Sequence, residues 1–325
     1  MTWPPGVTVR ALGSADIAAV VEVANAIAAA DLSGENVSTE DITQALASPG
    51  DNLGVWVGGR LVGYSIVDPP DVDADLSEVQ LKGGIHPDHR RQGIGGQLFD
   101  WSTGRALELS RDADPDLTAT VDVEIQSINA GGLALAVARG YEPIRYYSTM
   151  QRPYDKAPVA AAPVPEGFQA ITFTPEYDEP LRLAHNEIFT DHWGTAPKTE
   201  DDWQTWFTGH RAFRPNLSCL VLNADRIAAY ALAYEFLPDT EATGVRELWI
   251  GQVGTRREHR SQGLARSAIL AVLQTGQAAG FQRAALTVDS ANLTGAHHLY
   301  KQLGFQPITT KILHRLPPTA QTTAN

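Results

Sequence analysis

Residues 253–266 read Val253-Gly254-Thr255-Arg-Arg-Glu-His-Arg260-Ser261-Gln262-Gly263-Leu264-Ala265-Arg266, and residues 83–96 read Gly83-Gly84-Ile85-His-Pro-Asp-His-Arg90-Arg91-Gln92-Gly93-Ile94-Gly95-Gly96. Each stretch closes an apolar strand pattern and opens an amphipathic helical one, so each predicts a strand, a tight loop and a helix. A helix N-terminus leaves backbone N–H groups unpaired and carries partial positive charge. A phosphate or pyrophosphate can satisfy those groups where glycine or alanine lets the backbone approach. Gly93, Gly95 and Gly96 offer that in one stretch, Gly263 and Ala265 in the other, with Arg90, Arg91, Arg260 and Arg266 adding charge. Neither loop has the Gly-x-Gly-x-x-Gly pattern of a dinucleotide site or the Gly-Lys-Ser/Thr of a P-loop.

Outward from these loops the whole chain repeats. Arg90 matches Arg260, Gly93 matches Gly263 and Gly95 matches Ala265, all 170 residues apart. Asn129 then answers Asn292, Gly140-Tyr141 answers Gly304-Phe305, and upstream Gly63-Tyr64 answers Ala229-Tyr230. Landmarks in one order mean two copies of one fold, here residues 1–154 and 168–316. The intervening 155–167, with three prolines among small residues, reads as a semi-rigid linker that lets the halves be expressed apart. Residues 317–325 read as a frayed tail. In the second copy strands are expected at 168–172, 217–222, 227–234, 247–255, 283–288 and 308–316, and helices at 179–189, 201–208, 262–279 and 295–303. The first copy repeats this over 14–30, 55–67, 78–85, 92–108, 118–125 and 131–139. The fold class is α/β (α+β): two tandem domains, each a mixed, mostly antiparallel sheet with helices on both faces.

A net charge of −13 repels nucleic-acid phosphates and anionic membranes and suits a cationic amine. No apolar stretch is long enough to span a bilayer, and residues 1–10 lack the core of a signal peptide. A cytoplasmic monomer or homodimer is expected. The single cysteine, Cys219, excludes an intramolecular disulfide, and its apolar surroundings predict a buried, inert thiol.

The paired Arg-x-x-Gly-x-Gly/Ala loops and their flanks, Val288-Asp-Ser-Ala-Asn292 and Leu299-Tyr-Lys-Gln-Leu-Gly-Phe305, resemble the GNAT superfamily of N-acetyltransferases. The resemblance covers both halves. It implies acetyl-CoA as cofactor, threaded between splayed fourth and fifth strands, and a small-molecule or peptidyl amine as acceptor. By that resemblance residues Val253, Gly254 and Thr255 hold the pantetheine and thioester, Ser261 to Arg266 hold the pyrophosphate, and Asn292 bonds the pantetheine arm. Gly83 to Ile85 and Arg90 to Gly96 are the first-copy counterparts.

Acetyl transfer to an amine needs a neutral nucleophile, a polarised carbonyl and a proton for the departing sulfur. Tyr300 stands where members of the superfamily often carry the proton donor. In the first copy Ala136 and Val137 occupy that place, so chemistry is expected in the C-terminal copy. Glu247 is the candidate base; other members carry a glutamate on this strand two residues nearer the loop, where Trp249 stands. Asp191, His192, Trp193 and Glu235 are candidate acceptor-site residues. His297 and His298 are neighbours on a helix and cannot share one face, so no metal site is expected. The tandem organisation is similar to that of mycothiol synthases; aminoglycoside acetylation and a non-catalytic CoA-binding module are the alternatives.

Overall fold

The computed structural model describes residues 2–73, 76–156, 158–161, 163–190, 197–290 and 296–318. Along the chain it has β1 (Val7–Arg10), α1 (Ile17–Ala30), α2 (Thr39–Ala47), β2 (Asp51–Val57), β3 (Arg60–Val67), β4 (Asp71–Asp73), β5 (Leu76–Ile85), α3 (Ile94–Ala113), β6 (Thr118–Gln126), α4 (Ala130–Ala138) and β7 (Glu142–Pro153). There follow β8 (Phe168–Thr172), α5 (Asp178–Phe189), α6 (Glu200–Trp206), β9 (Cys219–Asn223), β10 (Arg226–Tyr234), α7 (Leu237–Thr243), β11 (Glu247–Thr255), α8 (Leu264–Ala278), β12 (Arg283–Asp289), α9 (Ala296–Gln302) and β13 (Gln306–Leu316). The expected elements are present, and the 55–67 region is a hairpin, β2 to β3, turned at Gly58-Gly59 with both φ positive, the geometry that matches strand twist.

Two compact units form. Unit 1 is Met1–Ser148, Asp289–Ala291 and Thr309–Asn325; unit 2 is Thr149–Val288 and Asn292–Ile308. Unit 1 orders its strands β1-β2-β3-β5-β6-β13, and unit 2 orders them β7-β12-β11-β10-β9-β8. Each has one parallel pair, β5/β6 or β11/β12, while β1/β2, β2/β3, β3/β5 and β6/β13 in unit 1 and β8/β9, β9/β10 and β10/β11 in unit 2 are antiparallel. The linear division at 154 and 168 therefore differs from the compact units in its final strands: most of β13 completes the first sheet, while the second half of β7 belongs with the second.

The reason lies in side chains that the periodicity of a strand does not reveal. β13 lies antiparallel to β6 from Lys311↔Gln126 to Leu316↔Val121. There Arg315 donates twice to the fully buried Asp122, at 2.7 and 2.6 Å, and once to Glu78 at 2.5 Å. In unit 2, Met150 and Tyr154 of and just after β7 enter the core shared by β11, β12, α8 and α9. The 155–167 segment is not a free spacer. Arg152 donates to Pro158 O, Gln274 of α8 to Ala160 O and Ser267 of α8 to Pro163 O, which pins it along α8.

Helices seat on the sheets through faces readable in the sequence. α3 buries Ile94, Leu98, Ser102, Ala106 and Ser110, one residue per turn. Its small serines allow close approach, with Ser102 Oγ bonding Ser65 Oγ at 2.7 Å and Ser110 Oγ bonding Ser77 Oγ at 2.5 Å. In unit 2, Ile227 to Tyr234 of β10 are all buried, as a strand covered on both faces must be. One face packs on α8, and the other packs on α5 and α6 through Leu181, Ile188, Trp203 and Phe207.

Candidate functional site

Both loops fold alike. After a turn of 3-10 helix at Pro87–His89 or Arg257–His259, the chain enters the left-handed region twice, at Arg91 (φ 65) and Gly93 (φ 82), and at Ser261 (φ 63) and Gly263 (φ 83). Gln92 and Gln262 each return a side-chain bond to the carbonyl four residues back, both at 3.3 Å. Glycine is needed at 263 for its φ rather than for crowding, since an added Cβ would meet nothing within 4 Å. Open space lies there, in front of α8. Among the described residues no side chain caps α3 or α8, so their first-turn N–H groups face that space.

The strands leading to these loops part. β5 and β6 pair from Leu76↔Thr118 to Leu81↔Val123, and β5 then runs on to Ile85 without β6, still paired with β3 on its other edge. β11 and β12 pair only from Glu247↔Arg283 to Trp249↔Ala285, and β11 continues to Thr255. The resulting wedge exposes backbone groups of Val253 to Thr255 that no parallel neighbour uses. At its end the Thr255 hydroxyl is buried, with no partner among the described residues. An orphaned buried hydroxyl, a strand with one unpaired edge and an uncapped helix N-terminus together fit an elongated ligand ending in a pyrophosphate, as acetyl-CoA does.

The arginines of the two loops serve differently. Arg90 is committed within unit 1: it donates to both carboxylate oxygens of buried Asp31, at 2.6 and 3.0 Å, and to Ile85 O. Asn129 donates to the same Asp31 at 2.9 Å and caps α4 by accepting from Gly132 N–H. Among the described residues Arg260 makes long bonds to the carbonyls of Thr255 and Ile188, at 3.3 and 3.4 Å. Arg90 is thus a clasp across the ends of β5, β6 and α1, whereas Arg260 is exposed beside its loop.

Tyr300 sits on α9, 9% exposed, edge-on to Phe305, and burial pushes its hydroxyl up to about 12. Its counterpart on α4, Ala136, is fully buried and has no proton to give. Glu247 is placed away from the open wedge, at the zipped start of β11. Its carboxylate is paired with Arg283 and accepts from Gln151 at 2.8 Å. Burial raises its pKa against the pull of Arg283. Glu235 is tied to Arg246 at 2.9 Å and Arg214 at 3.1 Å. Burial pushes its pKa up, but the two guanidinium groups outweigh it and leave a lowered value. Both carboxylates are ion-paired. Asp191, His192, Trp193 and Asn292 lie outside the described residues. Cys219 is buried, with its thiol pushed up to about 12 by desolvation. No cluster that could hold a metal occurs among the described residues.

The sequence reading missed a hollow of about 280 Å³ on the α5/α6 side of unit 2, walled by Trp206, His210, Tyr234, Phe236, Trp249, Gly251 and Gln252. It opens where β11 bulges: Leu232 pairs with Gln252 but Ala233 with Ile250, leaving Gly251 unpaired. Gly251 is required because an added Cβ would come within 2.6 Å of the Tyr234 ring. The available signal was Trp249, an aromatic at the place of an expected glutamate.

The acetyltransferase (GNAT) family pattern matches residues 179–305. A mycothiol acetyltransferase of Saccharopolyspora erythraea is 30% identical over 258 residues, 76% of this chain and 79% of the relative. One from Thermobispora bispora is 29% identical over 314 residues, covering 92% and 96%. Among solved structures, a GCN5-related N-acetyltransferase from Sphaerobacter thermophilus aligns with a TM-score of 0.76 at 26% identity, over 97% of this chain and 96% of that one. A tandem GNAT protein from the clavulanic acid biosynthesis pathway shares the fold, with a TM-score of 0.70 at 21% identity over 97% and 100%.

Proposed function

This chain belongs to the GNAT family of acetyltransferases, and from that premise we propose that it transfers an acetyl group from acetyl-CoA to a primary amine in a ternary complex, with the chemistry in unit 2. Acetyl-CoA supplies the activated acetyl group. The uncapped start of α8 and the Gly263 loop bind the pyrophosphate. The unpaired edge of β11 from Val253 to Thr255 bonds the extended arm, with the buried Thr255 hydroxyl as one donor. Tyr300 holds a proton at Oη near neutral pH as any tyrosine does, and burial, which pushes its pKa up to about 12, keeps it there in alkaline solution. Such a group serves as an acid for a departing sulfur. The ion-paired Glu247 acts on the shape of β11, holding its zipped end to Arg283.

The observation that carries the proposal is the conjunction in unit 2 of the parted strands, the orphaned Thr255 hydroxyl, the open αL Gly263 and the tyrosine on α9. Unit 1 repeats the loop but has Ala136 in place of the tyrosine, so we infer that it holds CoA without turnover, in a structural or regulatory role. CoA release followed with an amine panel tests this. Gly263→Glu places a carboxylate against the pyrophosphate and should abolish saturation by acetyl-CoA. Full activity of that variant refutes the site. A second reading, a mycothiol-type acceptor, is favoured by a relative named for that activity that aligns over 92% of the chain.

A further inference from the structure

Resting on the acetyltransfer reading, we propose that the hollow beside β11 receives the acceptor and selects amines borne on a compact, flat, apolar group, the arylalkylamine class. The hollow adjoins the bulge at Gly251, two residues before the Val253–Thr255 edge, so a group seated in it can present its amine to that edge.

Its walls are rings rather than carboxylates. Tyr234 and Phe236 lie nearly parallel, with an interplanar angle of 9°, and Phe236 meets Trp249 edge-on at 6.3 Å. Trp206 stands at the rim, 58% exposed. Between Tyr234 and Phe236, Glu235 points its carboxylate into Arg214 and Arg246. Among the described residues no acidic side chain lines the hollow.

Two of the acceptors in the wall are already engaged: Gln252 Oε1 accepts from the Tyr234 hydroxyl at 2.9 Å, and His210 Nδ1 accepts from Ala212 N–H at 3.2 Å. A flat ring gains offset or edge contacts with Trp249 and Phe236. The volume of about 280 Å³ suits one small ring with a short chain. Trp249 is thus a specificity-determining residue.

The test uses the full chain with CoA or acetyl-CoA. Calorimetric titration of phenethylamine, glucosamine and putrescine into the CoA complex reads the hollow, and CoA release reads turnover. Phenethylamine should bind at least ten-fold more tightly than the other two. Trp249→Ala should weaken it at least ten-fold at unchanged CoA affinity, and Trp249→Phe should restore most of the loss. Tighter binding of glucosamine or putrescine, or equal phenethylamine binding by a CoA-competent Trp249→Ala, overturns the proposal. Selective phenethylamine binding without turnover supports the hollow while refuting the acetyltransfer reading.

Discussion

Arg152 Nε donates to the carbonyl of Leu303 at 2.9 Å. Arg152 lies on β7, in the first half of the sequence, and Leu303 follows α9, which bears Tyr300. Arg152 is buried, and its side chain packs against Gly304, where φ is 89°. The cation sits at the C-terminal end of α9, where helix carbonyls lack partners.

Arg152→Met removes that bond while keeping much of the packing. A hydrogen bond to a charged group contributes about 1.5–3 kcal/mol, so the melting temperature should fall. If Arg152 orients α9, kcat should also fall several-fold at unchanged KM for acetyl-CoA, with Arg152→Lys recovering part. A stability loss with unchanged kcat would confine Arg152 to packing.

Tyr300→Phe keeps the ring and removes the proton. General acid catalysis is worth on the order of 10²–10⁴-fold, so kcat should drop by about that factor while acetyl-CoA affinity holds. Burial raises Tyr300 to about 12, so the acid form persists through pH 10, where a free tyrosine is half ionised. Any alkaline loss of kcat assigned to this group should centre near 12. A Tyr300→Phe variant within about three-fold of wild type would leave the tyrosine a packing residue.

Arg315→Met strands two carboxylates. Asp122 is fully buried and Glu78 lies beside it. Breaking such a pair from one side costs about 3–5 kcal/mol. Burial first, and then the charge of Asp122, raises Glu78 even with Arg315 present. Without the arginine that upward shift should grow, so the raised-pKa group favours the folded state when protonated. The deficit of the variant should therefore shrink as pH falls toward 4–5, as thermal melts across pH would show. A deficit independent of pH would rule out stranded charge as the cause.

Fragments 1–155 and 165–325 should not fold as independent units. The first lacks β13, exposing the edge of β6 and leaving Asp122 without Arg315. The second lacks Met150, Arg152 and Tyr154 from its core. Circular dichroism and melting of each fragment check this; cooperative melting of either alone would contradict it.

The loops were legible because glycine at a positive φ and a fixed arginine spacing leave a mark in local sequence, and residues 83–96 and 253–266 fold as that mark predicts. α8 and β10 were equally legible from periodicity. Strand exchange was not, because Lys311↔Gln126 pairs residues whose patterns suit either sheet. Nor was the fate of Glu247, whose partner Arg283 is set by parallel register. The aromatic hollow draws Trp206, Tyr234 and Trp249 from three elements, and only packing on one side of a bulge gathers them.

The exchanged strand also sets an order of manufacture. On the ribosome β6 emerges roughly 185 residues before the β13 segment that pairs with it, a wait of roughly 10–40 s at about 5–20 residues per second. The half of β7 that unit 2 needs is already made when β12 appears. The first-synthesised unit is thus the last to close, and a nascent chain cut a few residues short of Leu316 forfeits the beginning of the protein rather than its end.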